Sequence, residues 1–154
     1  MTALLTAAPI SSSRSEEVIP RLNYEAVPDF FQLPSGEHFV EVAGIAVNSK
    51  GHVYVFHRGK HPLVEFDASG KFIRSIADDL FVTAHMVRVD AEDNIWTTDV
   101  GAHVVLKLSP EGRVLLSLGR MRIPGDDVLH FNQPTDVALD REGNIYVADG
   151  EGDS

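Results

Sequence analysis

From Val42 to Ala148 the chain runs as short apolar segments broken by turns, with apolar and polar positions alternating at the two-residue period of half-buried strands. The stretches Gly44 to His57, Met86 to Asp99 and Asp136 to Asp149 share one layout. Each predicts an apolar strand, a turn, and a second strand with an aromatic at its centre, namely Tyr54, Trp96 or Tyr146. The turns Ser49–Gly51, Ala91–Asp93 and Arg141–Gly143 put Gly or Asp where a hairpin commonly needs positive φ. After the first two stretches comes a second predicted hairpin. Leu63–Phe66 turns through Asp67–Gly70 into Lys71–Ile76, and Val104–Leu108 turns through Ser109–Gly112 into Arg113–Leu118.

Val47 and Val89 are 42 positions apart, and Val89 and Leu139 are 50 apart, the excess falling in a loop near Met121 to His130. A four-stranded unit repeating at about 40–45 residues predicts an all-β fold built of β-propeller blades. Turn residues and central aromatics recur in step, which argues against an unrelated β-meander. The expected organisation is a flexible arm over residues 1–20, a leading segment over 21–41 able to supply a partial blade, and blades over 42–154. The third blade stops after its second strand, so about two and a half blades are expected. A blade packs both faces against neighbours, so the chain is expected to self-associate or to be completed by further C-terminal blades.

Composition narrows the function classes. Of 154 residues 44% are hydrophobic, enough for a folded core. Thirteen Lys plus Arg against 23 Asp plus Glu give a net charge of −10, which speaks against nucleic acid as a partner. The absence of cysteine removes disulfides, thiolate metal sites and cysteine nucleophiles. No run approaches the roughly 18 apolar residues of a membrane span. The opening MTALLTAAPI has no Lys or Arg before its apolar part, unlike a signal peptide, so a cytoplasmic address is favoured with secretion left open.

Local motifs add little by themselves. No HExxH pair, Gly-rich phosphate loop or GxSxG elbow occurs. His57, His61, His103 and His130 fall on separate strand ends or loops, and the near-equivalence of His61 and His103 in the repeat implies a structural role. Asp99 and Asp149 recur where His57 stands and are expected to cap the turn leading onward. The central aromatics are expected to pack between blades. Taken alone, Arg58 is a solvated or ion-paired strand-end cation and His85 an ordinary polar residue.

Particular runs carry a resemblance. Val42–Val47 leading to Phe56-His-Arg-Gly59, then Trp96–Val100, Leu118–Arg120 and Pro124–Val137 with its PG…HF.QPTDV pattern, are similar to the NHL-type propeller of the peptidyl-α-hydroxyglycine α-amidating lyase family. The resemblance spans about residues 40–150, as an N-terminal half of that six-bladed fold. It implies cleavage of a peptidyl carbinolamide to an amide and glyoxylate, with zinc in the channel and a structural calcium. Position by position, it implies a catalytic Arg58 that clamps the substrate carboxylate, a zinc ligand at His85, and calcium-holding backbone carbonyls at Ile45 and Val87. Glu151 stands where the family has a tyrosine, and Met86 where it has a glycine. The further zinc histidines belong to blades outside this sequence, so the 154-residue chain is expected to be inactive alone. The alternative is a non-catalytic NHL-repeat piece that binds a ligand or protein.

Overall fold

The computed structural model describes residues 22–151; the arm expected over residues 1–20 lies outside the described residues. Two four-stranded antiparallel sheets and one two-stranded sheet follow one another along the chain. Blade 1 holds β1 (Val42–Val47), β2 (Val53–His57), β3 (Leu63–Phe66) and β4 (Phe72–Ser75), in that order. Blade 2 repeats it with β5 (Ala84–Val89), β6 (Ile95–Asp99), β7 (Val104–Leu108) and β8 (Val114–Leu118). The third sheet pairs β9 (Asp136–Leu139) with β10 (Ile145–Ala148). Among the described residues there is no α-helix, only a short 3-10 turn at Asp78–Leu80. The all-β blade architecture read from the sequence is the one observed.

The hairpin turns follow from their chemistry. Gly51, Asp93 and Gly143 have φ of 78°, 64° and 86°, the left-handed backbone that a tight turn requires. Three residues earlier in each turn, Asn48, Asp90 and Asp140 each accept two backbone N–H groups from the turn they begin. The same side chain reaches the central aromatic of the next strand: Trp96 Nε1 donates to Asp90 at 3.0 Å and the Tyr146 hydroxyl to Asp140 at 3.1 Å. Asp90 also accepts from Lys107 Nζ at 2.9 Å, and that ammonium lies 5.1 Å from the Trp96 ring centre. Burial pushes the Asp90 carboxyl up, but its bonds to Lys107, Trp96 and Asn94 outweigh this and hold it down at about 2.

Each blade has two unlike faces. The face of blade 1 bearing Tyr54, Phe56 and Leu63 packs on the face of blade 2 bearing Val87, Ile95 and Leu106. The opposite face of blade 2, with Trp96 and Val105, packs in turn on Val137 and Leu139 of the third sheet. Polar links cross both joints. Ser49 bonds Asp93 at 2.8 and 2.6 Å across the first. Arg88 grips Asp136 at 3.0 and 2.8 Å across the second. Tyr54 and Trp96 are buried in these joints as the sequence predicts, whereas Tyr146 is exposed because no blade lies on its face among the described residues.

The leading segment closes part of the free face of blade 1. Phe31 and Phe39 pack on Phe66, with ring centres 4.7 and 5.9 Å away. Gln32 N donates to the Gly70 carbonyl at 2.8 Å, and a side chain at Gly70 would collide with the Phe30 carbonyl. Gly70 is therefore required both for its φ of 83° and for this close crossing.

The residues His57, Asp99 and Asp149 tie each second strand to the chain entering its own blade. Asp99, fully buried, accepts the N–H groups of Val82, Thr83 and Ala102 at 2.6, 2.8 and 2.8 Å. Asp149 accepts from Asn132 N at 2.9 Å, and the neutral Nδ1 of His57 accepts from Val40 and Gly59 at 3.3 and 3.1 Å. The expected cap is thus also a clasp that reaches backward.

Two stability outcomes follow. Asp99→Ala leaves three donors without their acceptor, so it is expected to cost about 2–4 kcal/mol in urea unfolding. A cost under about 0.5 kcal/mol would show that water replaces the clasp. For Asp90, the folded carboxyl lies below its unfolded value near 3.9, so its stabilisation is complete above about pH 4 and is lost as pH falls toward 2. The stability gap between the wild type and Asp90→Asn should therefore be widest at neutral pH and narrow over that acid range. A gap independent of pH would refute the carboxylate's role.

Candidate functional site at the inner rim

The innermost strands of blades 1 and 2 carry a bulge at the same repeat position. Pairing of β1 with β2 shifts between Val42 and Gly44, and pairing of β5 with β6 shifts between Ala84 and Met86, which leaves Ala43 and His85 as the extra residues. A bulge frees one residue from the ladder and re-aims its side chain. His85 Nδ1 lies 2.8 Å from the Thr135 carbonyl, which can only accept, so Nδ1 is the donor and in the neutral ring the lone pair is on Nε2. The Thr98 hydroxyl donates to the same carbonyl at 2.9 Å, fixing it from a second side. His85 Nε2 faces Glu151, with Oε2 3.5 Å away.

Arg58 reaches the same rim from the end of β2. Its Nε donates to the Ala84 carbonyl at 3.1 Å, immediately before His85, and its Nη1 pairs with Glu41 at 3.1 Å. Its backbone N–H donates to Val40 at 2.8 Å, which anchors the strand end. Guanidinium and imidazole therefore sit at consecutive positions along the top of β5. Both are part-exposed, so a ligand can reach them. Sequence reasoning pointed to Arg58, His85 and Glu151, and the structure gathers all three. It missed Glu41, which holds Arg58, and the Thr135 carbonyl, which orients His85. The equivalence of Ala43, His85 and Thr135 in the repeat was the available signal for the latter.

Ile45 and Val87 occupy equivalent positions on β1 and β5, opposite Val55 and Thr97. The two strands lie against each other because residue 44 is glycine: a Cβ there would sit 2.9 Å from Val87 N. The other histidines singled out in the sequence are already engaged. His57 is buried, which lowers its proton affinity and suits its accepting role. His61 lies 2.6 Å from Asp78, His103 Nδ1 accepts from Gln133 at 3.2 Å, and His130 lies 2.7 Å from Asp127. The structural reading of His61 and His103 agrees with these contacts.

As a metal site the rim supplies one oriented imidazole and one nearby carboxylate. A backbone carbonyl on the far ring nitrogen is the usual support of a zinc-bound histidine, so His85 suits that role. Among the described residues no group of three His, Cys, Asp or Glu converges as a metal site. A cleft of about 960 Å³, lined by Trp96, Leu116, Leu139 and Ile145, lies at the opposite end of β5. It is open because the two-stranded third sheet covers only the inner part of blade 2, and none of the rim residues lines it.

An NHL repeat model matches residues 131–153. The chain is 32% identical over 134 residues to the probable peptidyl-alpha-hydroxyglycine alpha-amidating lyase of Caenorhabditis elegans, a match covering 71% of this chain and 38% of that protein. It is 36% identical over 137 residues to peptidyl-glycine alpha-amidating monooxygenase B of Xenopus laevis, covering 71% of this chain and 16% of that protein. The chain is an NHL-repeat relative of the α-amidating lyases. It spans less than half the length of these relatives. The fold is shared with virginiamycin B lyase from Staphylococcus aureus, with TM-score 0.53, 16% identity, and coverage of 71% of this chain and 35% of that one.

One oriented imidazole is too few for tight zinc binding, since such sites take three or four protein ligands. After dialysis at neutral pH the 154-residue chain is expected to retain far less than one zinc per chain. Stoichiometric retention that disappears in His85→Ala would show that the missing ligands come from this chain after all.

Proposed function

We propose that this chain forms part of a lyase that cleaves a peptidyl- or acyl-α-hydroxyglycine into an amide and glyoxylate. The observation that carries this reading is that Arg58 bonds the Ala84 carbonyl while the next residue, His85, is held by the Thr135 carbonyl with its Nε2 toward Glu151. The relatives that are peptidyl-α-hydroxyglycine α-amidating lyases by name support the substrate class.

In this reading the Arg58 fork holds the substrate carboxylate by two parallel bonds, exchanging Glu41 for the ligand. His85 serves as one zinc ligand, with Glu151 close enough to join it or to take the hydroxyl proton. Zinc, when bound, supplies a Lewis acid that polarises the substrate oxygen. The hydroxyl loses its proton as a C=O bond forms and the C–N bond breaks. The nitrogen leaves with the bonding pair and gains a proton, giving the amide. Carbonyls of Ile45 and Val87, on neighbouring inner strands, are the proposed calcium ligands, holding blades 1 and 2 in register. Further blades, from a longer chain or from self-association, would bring the remaining ligands.

A non-catalytic binding role is the second reading. It is favoured by Glu151, whose carboxylate stands 3.5 Å from His85 Nε2 and occupies the side of the ring that a metal would take.

The test is glyoxylate release from a peptidyl-α-hydroxyglycine with zinc and calcium added. The 154-residue chain alone is expected to show no turnover above the spontaneous rate. Fused to the remaining blades of the Caenorhabditis elegans relative, and verified as folded, it is expected to turn over, with kcat/KM falling about 100-fold or more in Arg58→Ala. A folded fusion that is inactive, or one indifferent to Arg58→Ala, would favour the binding role.

A further inference from the structure

The ion pair of Arg58 with Glu41 has no counterpart elsewhere in the repeat. By repeat position Arg58 corresponds to Val100 and Gly150, and Glu41 to Thr83 and Gln133. Blade 2 and the third sheet are built with neither a cation nor an acid at those places. The pair is therefore no part of what a blade needs in order to fold.

The path of the chain explains the backbone at Glu41 but not its side chain. Val40 N donates to His57 Nδ1 at 3.3 Å, and Arg58 N donates to the Val40 carbonyl at 2.8 Å, so Val40 is bonded on both sides. Two residues on, Val42 is already paired with His57 in the sheet. The chain must turn between them, and Glu41 takes a left-handed backbone with φ of 44°. Gln133 repeats that turn at the same repeat position, with φ of 65°. Such a backbone is unfavourable for a long side chain and free of strain only for glycine. The position nevertheless carries a glutamate, and its carboxylate reaches Arg58.

The geometry of the pair is that of a closure. Arg58 Nε donates to the Ala84 carbonyl, which sets the plane of the guanidinium without Glu41. Glu41 accepts from Nη1 alone, at 3.1 Å, and Nη2 has no acceptor among the described residues. The Glu41 side chain is 68% exposed and that of Arg58 38%, so water reaches the pair and it is weak enough to exchange. A free carboxylate that offers one oxygen to Nη1 and the other to Nη2 makes two parallel bonds where Glu41 makes one.

We propose that Glu41 is a built-in competitor for the anion position of Arg58, occupying it until the carboxylate of a ligand displaces it. Glu41 then sets specificity by charge. A ligand without a carboxylate cannot replace the bond it would break, so it leaves the pair closed. This rests on the reading of Arg58 as a carboxylate clamp, and it uses neither the metal nor the bond cleavage of the proposed function.

The probe is N-acetylglycine, an acylated glycine with a carboxylate and no hydroxyl to react. It is titrated into the 154-residue chain while the Arg58 Nε–H resonance, assigned by its loss in Arg58→Ala, is followed by NMR. The resonance is expected to shift in the wild type. Glu41→Gln keeps the shape without the charge and is expected to bind the probe about threefold or more tightly. Glu41→Gly removes the side chain and relieves the backbone, and it should bind at least as tightly as Glu41→Gln. The neutral analogue N-acetylglycinamide should shift the resonance in none of them. Weaker binding in either variant would make Glu41 a support of Arg58 and overturn the proposal. Unchanged affinity would overturn it too, as would a probe that binds none of the three proteins or a neutral analogue that binds as well. Tighter binding in both variants, together with a folded but inactive fusion, would remove the lyase reading and leave the competitor standing.

Discussion

Burial of an aromatic face under an aliphatic one is the contact on which this molecule depends. A four-stranded blade is too thin to enclose a core of its own, so its apolar side chains are shielded only by the next blade. Tyr54 and Phe56 give blade 1 a face that blade 2 answers with Val87, Ile95 and Leu106. Trp96 gives blade 2 the face that Val137 answers. Each such large side chain contributes about 1.5–3 kcal/mol when buried. Polar groups then fix the relative placement that apolar contact leaves loose, through Ser49 with Asp93 and Arg88 with Asp136.

The joint also builds the rim. Arg58 belongs to blade 1 but bonds the Ala84 carbonyl of blade 2, and His85 belongs to blade 2 but bonds the carbonyl of Thr135, which leads into β9. Each side chain takes one of its orienting bonds from beyond its own blade. A change in blade packing would therefore turn the imidazole or release the guanidinium without touching either residue. Bulges at Ala43 and His85 serve the same end, since a regular ladder would send residue 85 into the pleat and away from the rim.

Much of the fold could be read from the chain because its signals are local and repeated. Alternation gave the strands, Gly51, Asp93 and Gly143 gave the turns, and the spacing of Tyr54, Trp96 and Tyr146 gave the blade. The placement of the leading segment was not legible beyond the idea of a partial blade. Phe31 and Phe39 follow no strand period, and their partner Phe66 lies a whole hairpin away. The site divided in the same way. Arg58 and His85 were found through motif resemblance, but their supports are a carboxylate at Glu41 and two main-chain carbonyls. A carbonyl carries no signal of residue type, because every residue has one, and only the repeat position of Thr135 marked it.

The same division explains why Asp recurs so often in a chain whose surface is already acidic. Asp90 and Asp140 tie a turn to the aromatic beyond it, and Asp99 and Asp149 tie a strand end to the chain entering the blade. In each case a carboxylate gathers N–H groups that the sheets leave unpaired, which is the cheapest way to satisfy several donors with one short side chain. Repulsion among these acids is offset locally, by Lys107 at Asp90 and by backbone dipoles at Asp99. The excess negative charge of the sequence is therefore in good part structural. It belongs to the repeat unit, and it need not describe the charge of whatever the rim binds.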